Sequence, residues 1–436
     1  MIGRRNRSYD REIWRLGVPA LGALAAEPLY ILVDTAIIGH LGTTELAALA
    51  LAAAVLASAF TLFNFLTYGT TAQVARLHGA GREGAAAGLG AQALWLSLAV
   101  GLLLLVGMQV FASPLIGVMG GAGDVGEGAL LYLRIAALGA PFWMIAAAGQ
   151  GFLRGMGDLR TPLRILVAAH LVNVVLELLF VYGFGWGLAG SAWGTVIAQA
   201  GMAAGFVRVQ LRAGRERPDL ARIRPLMRIG GEIAVRTAAL LAAFLVASAV
   251  LARVGAASLG AHQIAFQLFV FLALVLDAVA IAAQIMVGRM LGAGDASSAY
   301  EASRRMIGWG VALGALFGGL LMLLAGVIPG LFTGDPAVVE RAHAMWWIFA
   351  ATMPVNGAVF ALDGILIGAG DTRYLAVAMI ASAAVCIPLA FVALHAGWGI
   401  VGVWAALAAL LVMRLVTCAV RFSGRRWALT GAPASA

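Results

Sequence analysis

Long apolar stretches separated by short polar turns fill the chain from about residue 13 to residue 422. Runs of 18 or more apolar residues recur, and each is long enough to cross a ~30 Å hydrocarbon core as an α-helix. Read this way, the pattern predicts twelve spans: 13–39, 44–75, 85–112, 128–152, 161–183, 187–211, 226–252, 257–288, 301–328, 337–367, 373–395 and 399–422. The expected fold class is therefore an all-α polytopic membrane protein.

Composition agrees. The 436 residues are 62% hydrophobic and 11% charged, whereas soluble domains carry about 25% charged residues. So few charges cannot cover a water-exposed surface, so most of the surface must face lipid. The 56 glycines and abundant alanines suit helices that approach closely inside a bilayer. Cys386 and Cys418 both fall in apolar runs and read as small buried side chains, not as a disulfide or metal pair. The polar, Arg-rich N-terminus through Arg15 carries no cleavable signal pattern, so the first run is expected to be retained.

The net charge of +9 comes from 29 basic residues, all arginine, and their placement excludes nucleic acid as a partner. One side collects Arg4, Arg5, Arg7, Arg11 and Arg15 at the N-terminus, the pairs and triplets of alternate loops, seven arginines between 208 and 228, and Arg421, Arg425 and Arg426 at the C-terminus. The other side holds Arg134, Arg253 and Arg341. By the positive-inside rule both termini are cytoplasmic.

The chain also resembles itself at an offset of 213 residues. Gly42 and Leu46 match Gly255 and Leu259. The segment Arg76–Gly81 matches Arg289–Gly294, and Pro141 matches Pro354. LRGMGDLR (153–160) matches LIGAGDTR (366–373), and GWGLAG (185–190) matches GWGIVG (397–402) after a one-residue deletion. Each half holds six helices, an even number, so both insert the same way round. Transporters with such parallel repeats bind substrate near the midplane and alternate access by moving one half against the other. The expected organisation is an N-terminal lobe at 1–212, a basic linker at 213–225 and a C-terminal lobe at 226–436.

Charges within the apolar runs are the candidate chemistry, because each costs about 2.5 kcal/mol or more at a bilayer centre. The clear cases are Glu27, Asp34, Glu177, Asp277 and Asp363. Glu27 and Asp34 are two turns apart on roughly one face of helix 1. Pro19 and Pro28 in the same helix each remove a backbone hydrogen bond and permit a bend, so helix 1 is expected to move. His170, Asn173 and Glu177 share a face of helix 5, and Thr195 and Gln199 share one of helix 6. Asp34, Asn173, Glu177 and Thr195 could supply oxygen ligands to a monovalent cation such as Na⁺, or two of the carboxylates could share a proton. The repeat places Ala247, Cys386 and Ala390 opposite Asp34, Asn173 and Glu177, so such a site belongs to the first half. His262 and Gln284 on helix 8, with Asp277 and Asp363, are open either to substrate or relay roles or to structural pairing. Glu232 and Arg236 read as a pair along helix 7. No HExxH or GxSxG pattern occurs, which argues against an intramembrane enzyme.

The stretch GVPALGALAAEPLYILVDTAIIGHLGTTELAAL (17–49) resembles the first helix of multidrug and toxic compound extrusion (MATE) transporters, with VDTAIIGHLG close to the DinF branch. LRGMGDLRTPL, HLVNVVLELLFVYGFGWGLAGSAWGT and FALDGILIGAGDTR are similar to further signatures of that family, so the resemblance covers roughly residues 10–425. It implies a bacterial inner-membrane efflux antiporter with two six-helix lobes, driven by H⁺ or Na⁺ and needing no cofactor or obligate protein partner. It implies organic cations or amphipathic drugs as cargo, with membrane lipid as surroundings. The family's cation site falls on Asp34, Asn173, Glu177 and Thr195, and its bending proline on Pro19. The family usually has Asp where Glu177 stands; the Glu177 carboxylate reaches one methylene further, which disturbs Na⁺ geometry more than proton coupling. A lipid-linked precursor flippase of the same wider architecture is the alternative. It would favour arginines along a central cavity, where the spans offer Arg236 and Arg414.

Overall fold

The computed structural model describes residues 2–432, with side chains from residue 7; Arg4 and Arg5 lie outside the described side chains. Among the described residues there are helices and no strand. Helix α1 is Ile2–Gly39. The second expected span is two helices, α2 (Thr43–Phe63) and α3 (Phe65–Gly79), interrupted at Asn64. Then come α4 (Glu83–Val118), α5 (Gly123–Ala137), α6 (Ala140–Gly155) and α7 (Arg160–Glu177), which runs on as a π-helical turn, Leu178–Gly183. The second half comprises α9 (Leu220–Val254), α10 (Ala256–Gly292), α11 (Ala296–Leu323), the short α12 (Ile328–Phe332), α13 (Pro336–Gly368), α14 (Thr372–His395) and α15 (Gly399–Ser423), with α8 (Gly187–Ala213) before them.

Ten of these helices, counting α2 with α3 and α7 with its π turn as single spans, are long and apolar enough to cross a membrane, or eleven if α5 and α6, bent by 50° at residues 138–139, make one span. The remaining expected span, α8, has the length at 27 residues. Its Ser191, Thr195 and Gln199 dilute its apolar character, and two of the three turn into the site described below.

The internal repeat is a repeat of close helix contacts. A Cβ on Gly101 of α4 would lie 2.4 Å from Pro141 Cα, and one on Gly314 of α11 would lie 2.8 Å from Pro354 Cα. A Cβ on Gly151 would lie 2.7 Å from the Thr67 carbonyl oxygen, and one on its counterpart Gly364 would lie 2.2 Å from that of Ala280. Gly155 meets the Thr71 carbonyl and Gly368 the Gln284 carbonyl. All of these partners are 213 residues apart, so both halves keep the glycines that let backbones touch. The GD turns match as well. Gly157 and Gly370 adopt φ of +80° and +78°, left-handed values that only glycine adopts at little cost.

Contacts divide the chain into two compact units. One is Gly22–Gly230; the other joins the residues up to Leu21 with Gly231–Gly431. This differs from the expected 1–212 and 226–436 division at both crossings. The start of α1 belongs with the second unit because its charges are committed there. Asp10 accepts from Arg305 at 2.7 and 2.8 Å and from Trp309 Nε1 at 2.8 Å. Glu12 pairs with Arg289, and Trp14 meets Trp309 edge-on at 5.6 Å. The linker, in turn, is fastened to α4. Gln92 donates to the Arg217 carbonyl at 2.9 Å and accepts from the Asp219 amide at 2.8 Å, and Trp95 Nε1 donates to the Glu216 carbonyl at 3.0 Å.

In the second unit the core gathers Leu251, Met345, Trp346, Phe349, Trp404 and Leu410. Asp363 is buried there between Arg236 and Arg414, the latter at 2.6 Å. Arg236 thus reaches across to α13, and Glu232 accepts from Thr372 Oγ1 at 2.5 Å.

Candidate functional site

Four of the residues singled out from the sequence converge within the first unit. Asp34 lies five residues before the end of α1, and Glu177 ends α7 where the helix widens into the π turn. Single π-helical turns are common at functional sites, because they re-aim the residues beside them. Helix α8 runs alongside α7 and presents Ser191 and Thr195, one turn apart.

Ser191 joins the two carboxyl groups. Its Oγ is 2.8 Å from Asp34 Oδ1 and 3.0 Å from Glu177 Oε1. Asp34 is 6% exposed, while Glu177 and Ser191 are at 0%. No cation pairs with Asp34 or Glu177 among the described residues. Tyr30 contacts Thr195 Oγ1 at 2.9 Å and donates to Glu177 Oε1 at 3.4 Å. Asn173 Nδ2 donates to Thr195 Oγ1 at 3.4 Å. Tyr132 of α5 is buried beside this cluster. Gly194 makes room: a Cβ there would sit 3.3 Å from both Asn173 Oδ1 and Glu177 Cγ.

Two acceptor atoms of this cluster, Asn173 Oδ1 and Glu177 Oε2, are buried with no hydrogen-bond partner among the described residues. Buried polar atoms are nearly always satisfied. Two open acceptors beside a carboxyl pair therefore mark a place for a proton or a small cation. A hydroxyl has one hydrogen and two lone pairs. Ser191 can donate to one carboxylate and accept from the other only if that other is protonated, so the observed bridge suits a pair that holds one proton.

The other candidates sit elsewhere. His170 joins the cluster indirectly, stacked on Tyr30 at 4.9 Å. Gln199 turns its Oε1 against Gly139. Glu27 is exposed, about 10 Å along α1 from Asp34, so sharing a helix face with Asp34 does not bring it into the cluster. Helix α1 continues through both Pro19 and Pro28. His262, Gln284, Asp277 and Asp363 all belong to the second unit. His262 is buried against Phe266 and Trp404 and bonds Ser248 at 3.1 Å. Sequence reasoning missed Tyr30, Ser191 and Tyr132. Two of them had a signal: Tyr30 is one turn before Asp34, and Ser191 is one turn before Thr195.

A many-span helical bundle that buries two carboxyl groups against one serine suits a membrane transporter. The comparisons with known proteins agree. The MatE family profile matches twice, over residues 19–179 and 233–392, once in each repeat. The chain belongs to the MatE family, whose members are transporters. It is 29% identical over 432 residues to the DNA damage-inducible protein F of Escherichia coli, across 96% of this chain and 93% of that one. It is 31% identical to the Arabidopsis thaliana Protein DETOXIFICATION 44, chloroplastic, across 95% of this chain and 82% of that one. In fold it resembles the crystal structure of a mutant of the Vibrio cholerae MATE transporter VcmN. The TM-score is 0.88 at 19% identity, covering 97% of this chain and 98% of that one.

Proposed function

We propose that this chain is a secondary efflux antiporter that exports organic cations or amphipathic compounds in exchange for a coupling ion, H⁺ or Na⁺, with the proton favoured. It would lie in a bacterial cytoplasmic membrane with both termini inside. The Asp34–Ser191–Glu177 bridge is the observation that carries the proposal. Two carboxylates out of water repel, and a proton between them removes the repulsion. Asp34 sits toward the end of α1 opposite the basic N-terminus, so with the N-terminus inside, the site loads from the outer side. Asn173, Thr195 and Tyr30 orient the pair, and the open Asn173 Oδ1 and Glu177 Oε2 are the atoms a Na⁺ would use.

The ion can drive a conformational change only by binding one state better. Helix 1 is the proposed moving part, since its contacts pass from one compact unit to the other between Leu21 and Gly22, two residues after Pro19. An anionic lipid-linked cargo gains no support. Arg236 and Arg414, the two arginines that would have served it, both pair with Asp363. The test is ethidium efflux from proteoliposomes under imposed H⁺ or Na⁺ gradients. Gradient-driven efflux that Asp34→Asn abolishes supports the proposal. A folded protein that moves no cation under either gradient refutes it.

A further inference from the structure

The first turns of α1 hold a second charged feature, one that the carboxylate site does not use. Arg7, Arg11 and Arg15 are four residues apart in succession and so form one stripe. With Ser8, Glu12 and Arg289 they line an open cleft of about 610 Å³. Glu12 is paired with Arg289, and the nearby Asp10 is held by Arg305 and Trp309. The local carboxylates are thus already committed. Arg7, Arg11 and Arg15 are exposed and have no ion-pair partner among the described residues. The stripe lies just ahead of the apolar stretch of α1, which begins near residue 13, and this is the depth of the lipid headgroups. Trp14, 57% exposed, projects from the same turns, as interfacial tryptophans do.

We infer that this cleft binds the phosphate headgroup of an acidic phospholipid. Guanidinium forks match phosphate oxygens in a bidentate geometry, Ser8 offers a hydroxyl donor, and the span places the cleft level with the bilayer's own phosphates. A lipid seated there would pin the start of α1 at the membrane surface.

The test is native mass spectrometry of the full chain in detergent, titrated in parallel with phosphatidylglycerol, phosphatidylcholine and inorganic phosphate. The variants are Arg7→Gln/Arg11→Gln/Arg15→Gln and, as a control of equal charge loss, Arg208→Gln/Arg212→Gln/Arg215→Gln. The wild type and the control should retain phosphatidylglycerol over phosphatidylcholine. The α1 variant should bind it about a hundredfold more weakly, as expected for three surface arginines. All three are exposed, so the variant should keep the wild-type melting temperature and elution volume. Equal retention by the α1 variant, equal binding of the two lipids, or the same loss in the control would overturn the inference. So would inorganic phosphate binding as tightly as the lipid, which would make the cleft a site for free anions.

Discussion

Asp34 on the first helix and Glu177 on the fifth span meet at a single hydroxyl, that of Ser191, 2.8 Å from one and 3.0 Å from the other. A serine has one proton to donate, so removing it should disturb the protonation of the pair more than the packing around it. Ser191→Ala should lower proton-driven efflux about tenfold or more, since hydrogen bonds to charged groups contribute about 1.5–3 kcal/mol. Ser191→Thr should retain most of it. Initial rates in proteoliposomes would check both, and equal rates for Ala and wild type would remove Ser191 from the coupling site.

Tyr30 should matter through its hydroxyl. Tyr30→Phe keeps the ring stacked on His170 but loses the contacts with Thr195 and Glu177. A neutral hydrogen bond is worth about 1 kcal/mol, so efflux should fall about fivefold while the melting temperature stays within a few degrees. A drop in stability with unchanged transport would assign Tyr30 to packing instead.

The two buried aspartates should behave oppositely. Asp363 holds two arginines, and Asp363→Asn leaves them without a counter-charge. Breaking a buried pair costs about 3–5 kcal/mol, so the melting temperature should drop sharply. Asp34 has no cation to leave stranded, so Asp34→Asn should keep or raise the melting temperature while abolishing coupled transport. Equal destabilisation by both would contradict the separation of structural and coupling carboxylates.

Close approach of α11 and α13 gives a packing test. A Cβ on Gly357 would lie 1.9 Å from the Gly310 carbonyl oxygen, whereas one on Gly308 meets nothing within 4 Å. Gly357→Ala should destabilise by about 1–3 kcal/mol through overpacking. Gly308→Ala should be neutral or stabilise by about 0.5–1 kcal/mol, as alanine does in helix interiors. Thermal melts in detergent decide, and a harmless Gly357→Ala would refute the contact.

Much of this was legible in the sequence. Hydropathy located the spans, and the cost of burying charge singled out Asp34 and Glu177. The four-residue spacing then added Asn173 and Thr195. The 213-residue offset anticipated the shared glycine contacts. Tyr30, Ser191 and Tyr132 were harder to see, because an uncharged hydroxyl in an apolar run carries little hydropathic signal and many such groups only bond their own helix, as Ser58 does with Ala54. The break at Asn64, the bend at residues 138–139 and the π turn after Glu177 left no mark on the apolar pattern, since tertiary packing sets them. Spacing alone also misled at Glu27, because a shared helix face says nothing of what covers each level. Nothing in the polar pattern of the N-terminus hints that Asp10 and Glu12 tie the start of α1 to the second unit.

The most direct measurement of the central claim is proton release on substrate binding. Purified protein in weakly buffered detergent would be mixed with tetraphenylphosphonium, and protons counted with a pH-sensitive dye. A shared proton between Asp34 and Glu177 predicts release of about one proton per bound cation in the wild type. It predicts none in Asp34→Asn or Glu177→Gln. Binding with no proton release, release unchanged in both variants, or binding that instead displaces Na⁺ would contradict the proton-sharing pair as the coupling site.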